Sequence, residues 1–224
     1  GDWSVHEAGL IREEWFREFE MRGRIVHLFR ADGSTLAEID ERQMRRFVTI
    51  DPAGTSADRA RERRGRAASW SVIQVWQQPR ARALSPLLVL RHAVRERVGF
   101  DGLCALLRQT HRIWRPEKLF IENEKLGQAA VDLLRHEMPI RTIATGGRDK
   151  VARAGPLVCK LEQGEIFLPR MNDTWRSELE AELLSWTGLD DETTDQIDAA
   201  AYAAIVAGRR SSLASVKVQR VIAG

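Results

Sequence analysis

Apolar residues recur along the chain in short runs cut by Gly, Pro and charged residues, interleaved with stretches of helical spacing. Phe47–Ile50 is a run read as a buried strand, stopped at once by Asp51, Pro52 and Gly54. A polar, Arg-rich loop (54–68) follows, then strands at Trp70–Trp76 and Leu87–Val94. Three strands in succession predict an antiparallel meander. Phe100–Trp114 carries Leu103, Leu106, Leu107 and Ile113 at helical spacing and is ended by Pro116. Lys118–Ile121 predicts a fourth strand, Leu126–Arg135 a helix with Ala129, Ala130, Leu133 and Leu134 on one side, and Ile140–Ala144 a fifth strand ended by Gly146-Gly147. Arg148–Gln163 reads as a helix and Glu165–Leu168 as an edge strand stopped by Pro169. Asp173 or Thr174 caps a helix with Trp175, Leu179 and Leu183 at i, i+4 and i+8, and Thr194 caps a last helix through Ala207.

The flanks read differently. Gly9–Phe16 is a short amphipathic piece, and Arg22–Arg45 is largely polar and basic. Residues 1–45 are therefore expected to be a linker or strap without a core of their own, 46–208 the main domain, and 209–224 a fraying tail.

Composition narrows this picture. The chain has 224 residues, 43% of them hydrophobic, enough for one domain of moderate size. The formal charge is only +3, yet the pI is about 9.2. Clustering is more informative than the sum: residues 59–66 hold five arginines and one glutamate, a segment able to grip phosphates without reading sequence. Cys104 and Cys159 are too few for a disulfide framework and read as buried thiols. The five histidines are scattered, which argues against histidine-based zinc chemistry. No apolar run approaches the roughly 20 residues that span a bilayer. Most of the tryptophans lie in apolar runs and are expected in the core rather than as base-stacking platforms.

Three places put acids at the edge of an apolar element: Asp51, then Glu122 and Glu124, then Asp195 and Asp198. A carboxylate at the end of a central strand is costly to desolvate alone. It is either bonded by its turn or held for a cation. Strand alternation sets Glu122 and Glu124 on one face, with Glu124 already in the turn; Asp195 and Asp198, three apart, share a helix face. An Asx-turn or the helix dipole would also place acids here. Hard cations such as Mg²⁺ and Mn²⁺ take carboxylate oxygens, and two of them about 3.5–4 Å apart can drive phosphodiester hydrolysis.

Four passages in this order resemble the C-terminal nuclease domain of phage large terminase subunits: Phe47-Val-Thr-Ile-Asp-Pro-Ala-Gly54 with Asp58 and Trp70-Ser-Val beyond; Leu119-Phe-Ile-Glu-Asn-Glu124; Gly147-Arg-Asp-Lys-Val-Ala-Arg153 with Gly164-Glu-Ile-Phe-Leu-Pro169; and Thr194-Asp-Gln-Ile-Asp-Ala-Ala-Ala-Tyr202. Gly9–Phe16 resembles the passage where such proteins leave their ATPase domain. The resemblance implies an α/β, RNase H-like mixed sheet, a three-strand antiparallel meander plus parallel strands, flanked by helices. In it the strand ending at Asp51 neighbours the one ending at Glu122, and both ends face the C-terminal helix. It implies a metal-dependent endonuclease cutting double-stranded concatemeric DNA, with Asp51, Glu122 and Asp195 catalytic and, with Asp198, holding two Mg²⁺ or Mn²⁺ ions. Lys150 and Arg153 would face the scissile phosphate, with Arg59, Arg61, Arg63 and Arg64 on the DNA backbone. From the residues themselves, Glu124 competes with Glu122 for the ligand place, and Asp58 reads as a surface acid or an outer ligand. Implied partners are an ATPase domain of the same polypeptide, the small terminase subunit and the capsid portal, in the cytoplasm of an infected bacterial host and without a membrane. The family's His-Asp-Asp is Thr193-Thr194-Asp195 here, and no Gly-x-x-x-x-Gly-Lys-Ser/Thr loop is present, so this stretch is not itself the ATP-driven motor. Other RNase H-like nucleases, of resolvase or transposase type, and a non-catalytic DNA-binding or assembly module are the alternatives.

Overall fold

The computed structural model describes residues 9–52, 70–144, 149–171, 173–189, 194–208 and 219–221. The expected meander is present: β4 (Met44–Asp51) pairs antiparallel with β5 (Ser71–Pro79), which pairs antiparallel with β6 (Leu88–Glu96). On the other side of β4 lie the parallel strands β7 (Lys118–Glu122) and β8 (Ile140–Ile143). Strand alternation along β4 sorts its side chains onto two faces. Val48 and Ile50 face a core with Leu103 and Leu107 of α1 (Phe100–Trp114) and Ala130 and Leu134 of α2 (Lys125–Leu134). Phe47 faces the opposite core, and Thr49 beside it accepts the indole N–H of Trp76 at 3.0 Å. That second core is closed by α3 (Lys150–Glu162), α4 (Thr174–Ser185) and α5 (Asp195–Ala207). Each fully buried aliphatic or aromatic side chain in these layers contributes about 1.5–3 kcal/mol by leaving water. The helix α5 is buried nearly all round, and its alanines at 199–201, 203 and 204 let it lie close against its neighbours.

The sheet continues past β6. β9 (Ile166–Pro169) pairs parallel with β6 on one side and with β1 (Arg17–Arg22) on the other, so it is an interior strand and not the edge strand expected from its sequence. β1 leads into an antiparallel ladder with β2 (Ile25–Phe29) and β3 (Thr35–Asp40), and β10 (Gln219–Val221) pairs parallel with β3. The order is β10-β3-β2-β1-β9-β6-β5-β4-β7-β8. This mixed α/β sheet, with its meander and parallel strands, has the RNase H-like layout that the resemblance implied.

Two expectations for residues 1–45 part ways here. Gly9–Phe16 does act as a strap: Ile11 sits in the α3–α5 core, and Leu10 N–H donates to Trp186 O at 2.9 Å. Arg17–Asp40, expected as linker, is instead three strands, whose core is shared with the main domain. Phe19, Val26, Leu28, Leu36 and Ile39 pack there with Leu84, Leu87 and Phe167. Its charged residues alternate with the apolar ones, so overall polarity conceals a half-buried ladder. Gly23 (φ 58°) and Gly33 (φ 79°) take the left-handed turns between its strands.

Cys104 is buried as expected, but Cys159 is exposed, because it lies on the outward side of α3. Trp76 and Trp186 are in the core, whereas Trp15, Trp70, Trp114 and Trp175 are only half-buried. Among the described residues, no helix is long and apolar enough to cross a membrane.

Candidate active site

Parallel pairing of β4 with β7 brings their C-terminal ends together, Ile50 opposite Ile121, so Asp51 and Glu122 end neighbouring strands. Both side chains are buried, at 7% and 5% exposure. Asp195, equally buried, and Asp198 come from the first turn of α5, which lies over the same edge. Burial raises the pKa of Asp51 well above the usual carboxylate range, and the charges of Asp198, Glu122 and Asp195 raise it further. Burial likewise raises Glu122, with Arg153 opposing. Four acids named from the sequence therefore stand near enough for their charges to act on one another.

Arg153, one turn into α3, is the cation that meets them. Its Nη2 is 2.7 Å from Asp198 Oδ1 and its Nη1 is 3.7 Å from Glu122 Oε1. Lys150 opens the same helix three residues earlier and so lies on the same side of it. The helix itself starts on Asp149, whose side chain accepts from Ala152 N–H at 2.7 Å. Glu124 is the residue just before α2, in the turn as expected. Gly127 fixes the approach of α2: a Cβ there would stand 1.9 Å from Glu122 O, so only glycine lets the helix come this close to the strand end. Asp58, Arg59, Arg61, Arg63, Arg64 and the Gly146-Gly147 pair lie outside the described residues.

Several site residues escaped the sequence. Tyr202 is fully buried one turn beyond Asp198, a spacing visible in the chain but indistinguishable from a core aromatic. Among the described residues its hydroxyl has no partner in strict hydrogen-bond geometry, yet it is near enough to Glu122 to favour the ionised carboxylate. Burial and the surrounding acids keep the phenol protonated. Trp70, expected in the core, is met by two guanidinium groups, Arg95 at 4.8 Å and Arg97 at 4.3 Å from its ring centre, and its backbone N–H donates to Asp195 Oδ2 at 3.3 Å. Thr194 holds the N-cap position, but its hydroxyl binds Asp198 Oδ2 at 3.0 Å instead of capping the helix.

The donor set is all oxygen and carries more negative charge than Arg153 neutralises, the chemistry that hard divalent cations take. Among the described residues, no group of three or more His, Cys, Asp or Glu is set to hold a metal ion, and Arg153 stands against both Glu122 and Asp198. The fit is one of charge and ligand type, with the guanidinium in contact with two of the acids.

No protein-family model matches the chain, and no curated protein matches it. Solved structures do. The large terminase nuclease of thermophilic phage G20c with bound magnesium is 13% identical, with a TM-score of 0.50 over 88% of this chain and 97% of that one. A second structure of that nuclease is 12% identical, with a TM-score of 0.50 over 87% and 96%. At this identity the likeness is one of fold: the chain is built like a large terminase nuclease.

Proposed function

We propose that this chain is a metal-dependent endonuclease of the terminase type, which hydrolyses phosphodiester bonds of double-stranded DNA with little sequence preference. The observation that supports this reading is the nearness of Asp51, Glu122, Asp195 and Asp198, with the Arg153 guanidinium in contact with two of them. Asp51, Glu122 and Asp195 would hold two Mg²⁺ or Mn²⁺ ions, with Asp198 assisting. Such ions supply an activated water and neutralise the leaving oxygen. The protein's own part is to exclude bulk water around the carboxylates and to fix their orientation. Tyr202 favours the ionised form of Glu122 against the burial that opposes it, and Arg153, with Lys150 beside it, offers positive charge to the scissile phosphate. Arg97, exposed on the Trp70 ring, and the arginines at 59, 61, 63 and 64 supply phosphate contacts that carry no sequence information. On this reading the chain works with an ATPase domain, a small terminase subunit and a capsid portal in the cytoplasm of an infected bacterium.

The test is plasmid DNA incubated with the protein and Mn²⁺ or Mg²⁺, with Asp51→Ala alongside. Metal-dependent nicking and linearisation by the wild type alone is the expected result; equal nicking by both proteins refutes the assignment. A preference for four-way junctions or RNA–DNA hybrids over plain duplex would move the reading to a resolvase-like enzyme.

A further inference from the structure

The helix carrying Asp195 and Asp198 has no side-chain cap from its own first residue, since Thr194 spends its hydroxyl on Asp198. First-turn amides need acceptors, and buried ones cannot find them in bulk water. Here they are met from another helix. Glu182 on α4 accepts from Gln196 N–H at 2.8 Å and from Ile197 N–H at 3.3 Å through Oε1. Its Oε2 accepts from the Gln196 side-chain amide at 3.0 Å. A carboxylate here also faces the positive end of the helix dipole. From the sheet side, Gln74 of β5 donates to Gln196 O at 3.0 Å, so Gln196 is held between strand and helix immediately beside Asp195.

A second path joins the same two residues. Arg95 Nη2 lies 3.5 Å from Glu182 Oε2, the Arg95 guanidinium covers the Trp70 ring, and Trp70 N–H reaches the Asp195 carboxylate. Glu182 therefore reaches Asp195 twice, through the backbone of α5 and through Arg95 and Trp70. Its side chain is only 7% exposed. Burying an ionised carboxylate costs several kcal/mol, and apolar packing would join α4 to α5 at least as well. Holding a helix start in one place is what the carboxylate adds.

We propose that Glu182 is a positioning residue that seats the N-terminus of α5, and so places Asp195 and Asp198 against Asp51 and Glu122. The proposal rests on reading those four acids as the cation-binding set. Loss of an outer partner of ligating residues typically weakens metal binding 10- to 100-fold.

The experiment is calorimetric titration of the full chain with Mn²⁺ in the absence of DNA, at a temperature where every variant is folded. Glu182→Ala is compared with Glu182→Gln, which retains an acceptor, and with Arg176→Ala. The last cuts another anchor of α4, to Glu18 and Pro169 O, and also its contact with Glu180 within the helix. Glu182→Ala is expected to weaken Mn²⁺ binding about 10- to 100-fold and to speed hydrogen exchange at the Gln196 and Ile197 amides. Glu182→Gln should retain most of the affinity, and Arg176→Ala should lower the melting temperature without changing Mn²⁺ affinity. Wild-type affinity in Glu182→Ala, or equal loss in Glu182→Ala and Arg176→Ala, overturns the proposal. Should the alanine variant not fold, Glu182→Asp, which keeps the charge but withdraws the oxygens, is read by the same outcomes. Absence of Mn²⁺ binding by the wild type would refute the proposed function together with this metal-positioning role, while exchange at Gln196 and Ile197 would still show whether Glu182 seats the helix.

Discussion

The two ends of α3 bury charge in opposite ways. Near its C-terminus Lys160 Nζ is 2.7 Å from Glu165 Oε2 and donates to Pro86 O, also at 2.7 Å. One cation meets one anion; burial raises the pKa of Glu165, and Lys160 opposes that rise. Near the N-terminus one guanidinium, Arg153, meets Asp198 and Glu122 and also holds down the pKa of Asp51, so several acids draw on the same cation. A buried ion with its counter-ion in the chain is complete as structure. A buried excess of one sign is incomplete until something arrives from solution, and that asymmetry marks the pocket as the place for chemistry.

The contrast makes its largest prediction at Asp51. Asp51→Asn should reduce metal-dependent DNA cleavage about a thousandfold, the equivalent of several kcal/mol of transition-state stabilisation. The same change removes repulsion among the acids, so the metal-free protein should melt at the same or a higher temperature. A marked drop in melting temperature would erase the distinction between the two ends. Lys160→Ala should do the reverse. It leaves Glu165 buried without its partner and should cost about 3–5 kcal/mol in urea unfolding, with Mn²⁺ affinity of the folded fraction unchanged. Gly127→Ala tests the scaffold between them. The added methyl must displace the end of β7, costing about 1–3 kcal/mol and weakening Mn²⁺ binding through Glu122.

The smallest effect is that of pH. Asp51 and Glu122 have raised pKa values in the fold, so the folded state binds more protons than the unfolded chain between the ordinary carboxylate pKa and the raised ones. Stability of the metal-free protein should therefore fall as pH rises through that window. Saturating Mn²⁺ should flatten the slope, because it binds the ionised acids of the folded state. Glu165 shifts in the same direction, but its share of the slope should persist with Mn²⁺ present. Thermal melts at several pH values, with Mn²⁺ or with EDTA, separate the two contributions.

Strand ends and helix spans in the central domain were legible because local signals coincide there. An apolar run closed by Asp51-Pro52 can end in only a few ways, and α1 runs from Phe100 to Trp114 as its spacing predicts. The β1–β3 ladder was not legible from polarity, since its alternation keeps total hydrophobicity low. The interior place of β9 could not be read from Glu165–Pro169, whose local pattern is the same whether or not β1 lies alongside. Glu182 is the plainest case. On α4 it is one acid among several on a charged helix, and nothing within the helix sets it apart.

Residue order alone established the strands and helices of the central domain and the acids at their ends, because those depend on periodicity and on turn chemistry within a few neighbours. Which acids meet, which cation stands among them, and which carboxylate holds the start of α5 follow from parallel pairing and helix packing between residues as far apart as Trp70 and Asp195. Burial and electrostatic excess are properties of groups brought together in space, and they come into being only when the chain has folded.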